Sequence, residues 1–197
     1  MTDDRQTWNA KYAKGSHASL TPDPFLVEVY ENYVAPLMGE GRSGGRALDV
    51  AGGVGRHAIW LAQRGWHVTL VDISDEAISI ARRNASAAKV AINFQLEDVK
   101  SFCEQPVEAQ FDLILVFFYL QREHFPAFIR MLKPGGMVVC KTYTVEQLRL
   151  RPGQGPSHSM HLLKPNELLR AFSSLKIISY RETVKDRGIA ELVAKKV

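Results

Sequence analysis

At 197 residues, 46% hydrophobic and 23% charged, the chain has the length and composition of one globular unit with a sizeable core, which argues against a disordered chain. The net charge of +4 comes from Lys and Arg scattered along the chain, with only short pairs such as Arg82-Arg83 and Lys195-Lys196, so no nucleic-acid-binding stripe is expected. The two cysteines, Cys103 and Cys140, form no disulfide framework, and no Cys/His spacing resembles a metal site.

No run reaches the roughly 18 apolar residues of a membrane span. The start, MTDDRQTWNAKYAK, lacks the basic and apolar parts of a signal peptide, so a cytoplasmic protein without membrane partners is expected. The first twenty-odd residues are polar and mixed, with Trp8, Tyr12 and His17, and Thr21-Pro22-Asp23-Pro24 reads as a turn into a helix. From Phe25 to Met38 apolar residues recur every three or four positions, a helical period that the glycines from Gly39 to Gly45 end. Short apolar runs then alternate with helical patterns: strand 46–50, helix 54–64, strand 67–71, helix 75–88, strand 90–96. After an irregular stretch to Gln110 come strand 111–116, helix 121–132 and, past the breaker Lys133-Pro134-Gly135-Gly136, strand 137–143. A loop with Pro152, Gly153, Gly155 and Pro156 precedes a helix near 165–172, and two β-rich runs, 175–182 and 189–194, join through Asp186-Arg187-Gly188. Such alternation is the pattern of βαβ units and predicts an α/β fold, a parallel sheet with helices on both faces.

Chemistry gathers at the strand ends. Gly52, Gly53 and Gly55 lie between the first strand and its helix, where glycine lets a ligand approach the backbone at a helix N-terminus. Asp49 precedes this turn, Asp72 follows the second strand where a carboxylate can accept from a ribose diol, and Asp98 follows the third. Ser74, with Ala77 three residues on, is the better cap for the helix at 75, which leaves Asp72 for a ligand. Open α/β sheets bind ligands at this carboxyl edge.

Two cofactor classes use such a turn. Gly53-Val54-Gly55-Arg56-His57-Ala58 fits the G-x-G-x-x-G/A dinucleotide fingerprint, so an NAD-linked or nucleotide-binding module is the rival reading. Against it stand the length, the lack of a Tyr-x-x-x-Lys pair, and Asp49, whose charge would repel a pyrophosphate and suits an ammonium group. No G-x-x-x-x-G-K-[ST] phosphate loop occurs.

The segments ALDVAGGVGRHAIWLAQRG, VTLVDIS, FQLEDV, FDLILVFF and LKPGGMVV, from about 46 to 142, resemble the successive motifs of class I S-adenosylmethionine-dependent methyltransferases. Trp8 with Tyr12, Gly55-Arg56-His57-Ala58, and the stretch from His161 through Lys164-Pro165-Asn166-Glu167 resemble the tellurite-resistance and thiopurine methyltransferase-like branch. The resemblance implies a Rossmann-like seven-stranded sheet, mostly parallel with an antiparallel last strand. It implies a methyltransferase domain over 46–197, one globular unit, with residues 1–45 as an arm and helix capping the site. It also implies that Asp49, Ala51, Gly52, Gly53 and Gly55 surround the methionine moiety, Asp72 holds the ribose, Ile73 and Val99 flank adenine, and Asp98 takes its amino group. Ala51 departs from the pattern, which commonly has glycine there.

Transfer of a methyl from a sulfonium is an in-line displacement in which the protein chiefly positions the reactants. A small, soft acceptor such as a thiolate, selenite or tellurite needs no strong base, whereas a hydroxyl or amine does. Phe117, Phe118 and Tyr119 follow the fourth strand, and an aromatic face there, Phe117 among the candidates, would favour the sulfonium. The Asn/Asp-Pro-Pro-aromatic signature of base-amine methylation is absent. His161 and Tyr143 are the candidate base or orienting groups; His158 and His161 make a poor metal pair, and His124 reads as a helix-surface residue. The expected partner is a small-molecule acceptor, with a protein or RNA acceptor as the alternative within the fold.

Overall fold

The computed structural model describes residues 2–38, 44–150, 153, 155, 156 and 158–197. Residues 39–43, which hold the start of the first glycine run, and Pro152 of the late loop lie outside the described residues. The chain divides into two compact units, Met1–Gln105 and Pro106–Val197.

The first unit opens on α1, Thr2–Ala13, a helix where the sequence suggested only a mixed polar segment. Its residues are mostly polar, so no apolar stripe announces it; its order comes from what it packs against. The long period from Phe25 resolves into α2, Pro24–Val29, a π-helical turn at Tyr30–Val34, and α3, Ala35–Met38. Asp23 caps α2 by accepting the Phe25 N–H at 2.9 Å. There follow β1 (Arg46–Val50), α4 (Arg56–Ala62), β2 (His67–Asp72), α5 (Asp75–Ala87), β3 (Ile92–Leu96) and α6 (Val99–Glu104). Helix α4 starts two residues later than expected because Gly55, at φ 86°, is its cap and belongs to the preceding turn. Strand β3 also starts late: Lys89 has φ 55° and the Val90 N–H still donates to Ala85 O. Helix α6 lies in the stretch read as irregular; six residues make too short a period to stand out. Leu26, Leu48, Leu61 and Leu70 are fully buried in this unit.

The second unit contains β4 (Phe111–Phe117), a 3-10 turn at Arg122–His124 running into α7 (Phe125–Met131), and β5 (Leu132–Tyr143). Strand β5 takes in the Lys133–Gly136 breaker. Its register against β4 jumps from Phe111↔Leu132 to Leu113↔Met137, so the expected interruption is a bulge inside the strand. Gly136 is required there, since a Cβ would lie 2.9 Å from Phe111 O. Then come α8 (Gln147–Leu150), a 3-10 turn at Ser159–His161, α9 (Glu167–Ala171), β6 (Lys176–Thr183) and β7 (Ile189–Lys195).

The strands make a seven-stranded sheet in the order β3-β2-β1-β4-β5-β7-β6. β1 with β2, β2 with β3 and β4 with β5 are parallel, while β7 is antiparallel to both β5 and β6. The expected α/β sheet with an antiparallel last strand is thus present. None of the described helices is long and apolar enough to cross a membrane.

Candidate cofactor site

β1 pairs with β2 so that Val50 lies opposite Val71, and the chain leaving β1 folds back over the end of β2. The turn is fixed by its own backbone: Gly52 N–H donates to Val71 O at 3.2 Å and Gly55 N–H to Gly52 O at 3.1 Å. Ala51, Gly53 and Gly55 have φ of 51°, 56° and 86°, the left-handed region where a side chain is costly. A glycine at position 51 would take this conformation without that cost, and Ala51 carries the strain. A Cβ on Gly52 would lie 2.7 Å from Leu70 Cγ and 2.9 Å from Asp49 Oδ2, so only glycine lets the turn settle on the carboxylate.

Asp49 and Asp72 stand beneath this turn, 1% and 5% exposed. Asp72 Oδ2 accepts the Gly53 N–H at 2.8 Å and Oδ1 the Ser74 N–H at 2.9 Å. The Ile73 N–H adds a third backbone donor to this carboxylate. Burial raises the Asp72 carboxyl above its ordinary range, and the hydrogen bonds from Ser74 and Gly53 pull it back. Asp49 Oδ2 accepts the Ala58 N–H at 3.2 Å, and Oδ1 lies 4.0 Å from His57 Nδ1. Burial pushes this carboxyl up to about 7 against the opposing attraction of Arg56. Ser74 caps α5 as expected, accepting the Ala77 N–H at 3.1 Å. Asp98 caps α6 through the Lys100 N–H at 2.9 Å, Val99 is buried, and Ile73 is half-buried beside Asp72.

Over the turn lies α1. Tyr12 and Trp8 pack with Val54 and Ala77, and a Cβ on Gly53 would meet the Tyr12 hydroxyl at 2.6 Å. Burial and the charges of Asp72 and Asp49 push the Tyr12 hydroxyl well above its ordinary range, so it stays protonated. Trp8, Tyr12 and His17 form an aromatic cluster with ring centroids 5.9–6.2 Å apart. Polar contacts fasten the helix to the start of α5: Arg5 Nε donates to Asp75 Oδ2 at 2.8 Å, Asn9 Nδ2 to the same oxygen at 3.1 Å, and Ser74 Oγ to Asn9 Oδ1 at 2.6 Å. Sequence reasoning singled out Trp8 and Tyr12 but missed Arg5, Asn9 and Asp75, whose pairing spans more than 60 residues.

In the second unit, Phe117 is a buried end residue of β4. Phe118 has φ 57°, donates its N–H to Lys141 O at 2.7 Å, and sets its 36%-exposed ring 5.0 Å from that of Tyr143. Tyr119 turns away, its hydroxyl 2.9 Å from His124 Nδ1. His124 is buried, contrary to the surface position expected of it, because the 3-10 turn before α7 rotates it inward. His161 ends an exposed turn held by Arg122, which donates to Met160 O at 2.6 Å and Leu162 O at 2.8 Å while pairing with Glu167. His158 Nδ1 accepts the Met160 N–H at 3.2 Å, a capping role. Among the described residues, no three His, Cys, Asp or Glu side chains gather as a metal site would need.

Residues 47–136 match a methyltransferase domain model. The chain is 34% identical over 106 residues to a ubiquinone biosynthesis O-methyltransferase of Xylella fastidiosa, covering 51% of this chain and 42% of the relative. It is 35% identical over 113 residues to a tRNA 5-carboxymethoxyuridine methyltransferase of Escherichia coli, covering 52% and 42%. The matches thus span under half the length of these curated relatives. Among solved structures, TehB from Haemophilus influenzae superposes with a TM-score of 0.70 at 19% identity, over 95% of this chain and 66% of that one.

Proposed function

We propose that the chain is a class I S-adenosylmethionine-dependent methyltransferase that binds S-adenosylmethionine at the 49–55 turn and transfers its methyl to a small-molecule acceptor, a reading supported by the methyltransferase domain match and the O-methyltransferase relatives. The observation that carries this is the pair of buried carboxylates under a left-handed glycine turn, Asp49 on β1 and Asp72 on β2. An acidic floor repels a pyrophosphate and attracts an ammonium and a ribose diol, so the residues present fit this cofactor. Asp49 would face the ammonium, and the Asp72 carboxylate would hold the ribose. Ala51, Gly52, Gly53 and Gly55 would shape the backbone beneath the methionine, while Ile73, Asp98 and Val99 would border adenine. Bound S-adenosylmethionine would supply a methyl already activated by its sulfonium.

Residues 1–45 would act as the cap, with Tyr12 and Trp8 on α1 excluding water from the turn. Phe117 and Phe118, at the end of β4, would provide apolar or aromatic surface for the methyl. Tyr143 or His161 would orient the acceptor or take its proton where it is a hydroxyl; a soft sulfur, selenium or tellurium nucleophile would need only positioning. The similarity to a tRNA methyltransferase supports a second reading, an RNA acceptor.

The test is calorimetric binding of S-adenosylhomocysteine and NADH, followed by S-adenosylhomocysteine release with thiols, selenite, tellurite, phenols, small amines and bulk tRNA. Binding of S-adenosylhomocysteine alone, with turnover on a small acceptor that Asp72→Ala abolishes, is the expected result. Turnover on tRNA alone would move the reading to RNA, and NADH binding in its place would overturn it.

A further inference from the structure

His57 is a polar side chain in the core, only 3% exposed, on the first turn of α4. A histidine buried this deeply has both ring nitrogens accounted for or is expensive to keep. The Asp23 backbone N–H donates to His57 Nε2 at 3.3 Å. That nitrogen therefore carries a lone pair, and in the neutral imidazole the proton sits on Nδ1. Nδ1 faces Asp49 Oδ1 at 4.0 Å, with the two side chains 4% and 2% exposed. At that separation the contact is electrostatic, not a hydrogen bond, and it acts through a buried, low-dielectric interior. The other oxygen of Asp49 is held by the Ala58 N–H, from the residue next to His57. One helix turn thus meets the carboxylate twice, through a backbone hydrogen bond from Ala58 and an electrostatic contact from the His57 ring. Asp23, at the far side of the ring, is also the cap of α2, so the ring's orientation is set from outside the glycine turn.

We propose that His57 is a positioning residue for the amino-acid end of the cofactor: its Nδ1–H faces the Asp49 carboxylate and keeps it turned toward the ligand's ammonium. The inference rests on the cofactor reading above and adds to it a residue that touches no ligand. It separates from mere packing by the part of the ligand it affects. S-adenosylhomocysteine carries the ammonium that Asp49 would meet, whereas 5′-methylthioadenosine shares its adenosine but lacks the amino-acid tail.

The experiment measures the affinity of both ligands for the wild type and for His57→Phe, His57→Asn and His57→Gln. Asparagine can present an N–H near the Nδ1 position, while glutamine reaches the Nε2 position and leaves Asp49 without that donor. His57→Phe and His57→Gln are expected to weaken S-adenosylhomocysteine by about tenfold or more with 5′-methylthioadenosine changed by less than about threefold, and His57→Asn to recover most of the loss. If His57→Phe does not fold, the asparagine and glutamine variants decide the question between them. A parallel loss of both ligands, or no loss of S-adenosylhomocysteine, would overturn the role of His57. A wild type that binds neither ligand would instead remove the cofactor reading on which the proposal stands.

Discussion

Asp49 makes the protein's pH dependence specific. Its carboxyl is pushed up to about 7, whereas an aspartate in an unfolded chain titrates near 3.9. Between those values the native protein holds a proton that the unfolded chain releases, so the contribution to stability is whole below about 4, falls as pH rises and is lost above about 7. Asp72 is shifted in the same direction. Urea denaturation at about pH 5 and pH 8 should therefore show wild-type stability declining with pH, and Asp49→Asn should flatten that decline. A ligand ammonium would favour the ionised carboxylate, so S-adenosylhomocysteine should bind more tightly as pH rises toward 7, with proton release seen as buffer-dependent binding heat. Ala51 offers a second test at this scale. Its φ of 51° costs an alanine more than a glycine, and Ala51→Gly should raise stability by about 0.5–1 kcal/mol in chemical denaturation. The glycines and carboxylates were legible in the sequence because each stands at the end of an apolar run, although Gly53 and Asp72 meet across 19 residues. The clasp of His57 between Asp23 and Asp49 was not, because a ring nitrogen's partner 34 residues away leaves no local spacing to read.

Helix α1 is the element whose existence depends most on its neighbours. Its residues give it little apolar face, and an isolated helix of 12 residues is marginal in water. What holds it is the packing of Trp8 and Tyr12 on Val54 and Ala77, together with the Arg5 and Asn9 contacts at the start of α5. Amide exchange in α1 should be much faster than in β1 and β2, and S-adenosylhomocysteine should slow it. Arg5→Ala should speed exchange in α1 alone and accelerate ligand release, measured by stopped-flow; unchanged exchange would mean that the aromatic packing suffices. The hydrogen bonds from Arg5 and Asn9 hold the Asp75 carboxyl well below its usual range, and Arg5→Ala should bring it back toward normal. Trp8 and Tyr12 stood out in the sequence as paired aromatics, but the helix did not, since its polar face is satisfied only by a partner about 70 residues on.

At the scale of the whole molecule, β7 closes the sheet. Among the described strands it is the one paired on both sides in antiparallel sense, and Ile189 to Ala194 are buried throughout. Leu192→Ala, at a fully buried position, should cost about 2–5 kcal/mol, read as a lower urea midpoint with little change in slope. The alternation of strand and helix and the final hairpin could be read directly from the sequence, because periodicity and a Gly-containing turn are local. That β7 lies between β5 and β6 could not, since no local pattern encodes which edge a strand joins. This placement also orders events in time. During synthesis β6 emerges before β7 yet has no strand to join until β7 arrives, and β5 waits as a bare edge for the same strand. At about 5–20 residues per second, the stretch 144–195 keeps that edge open for roughly 3–10 s, a window in which a passing chaperone or a second nascent copy can pair with it.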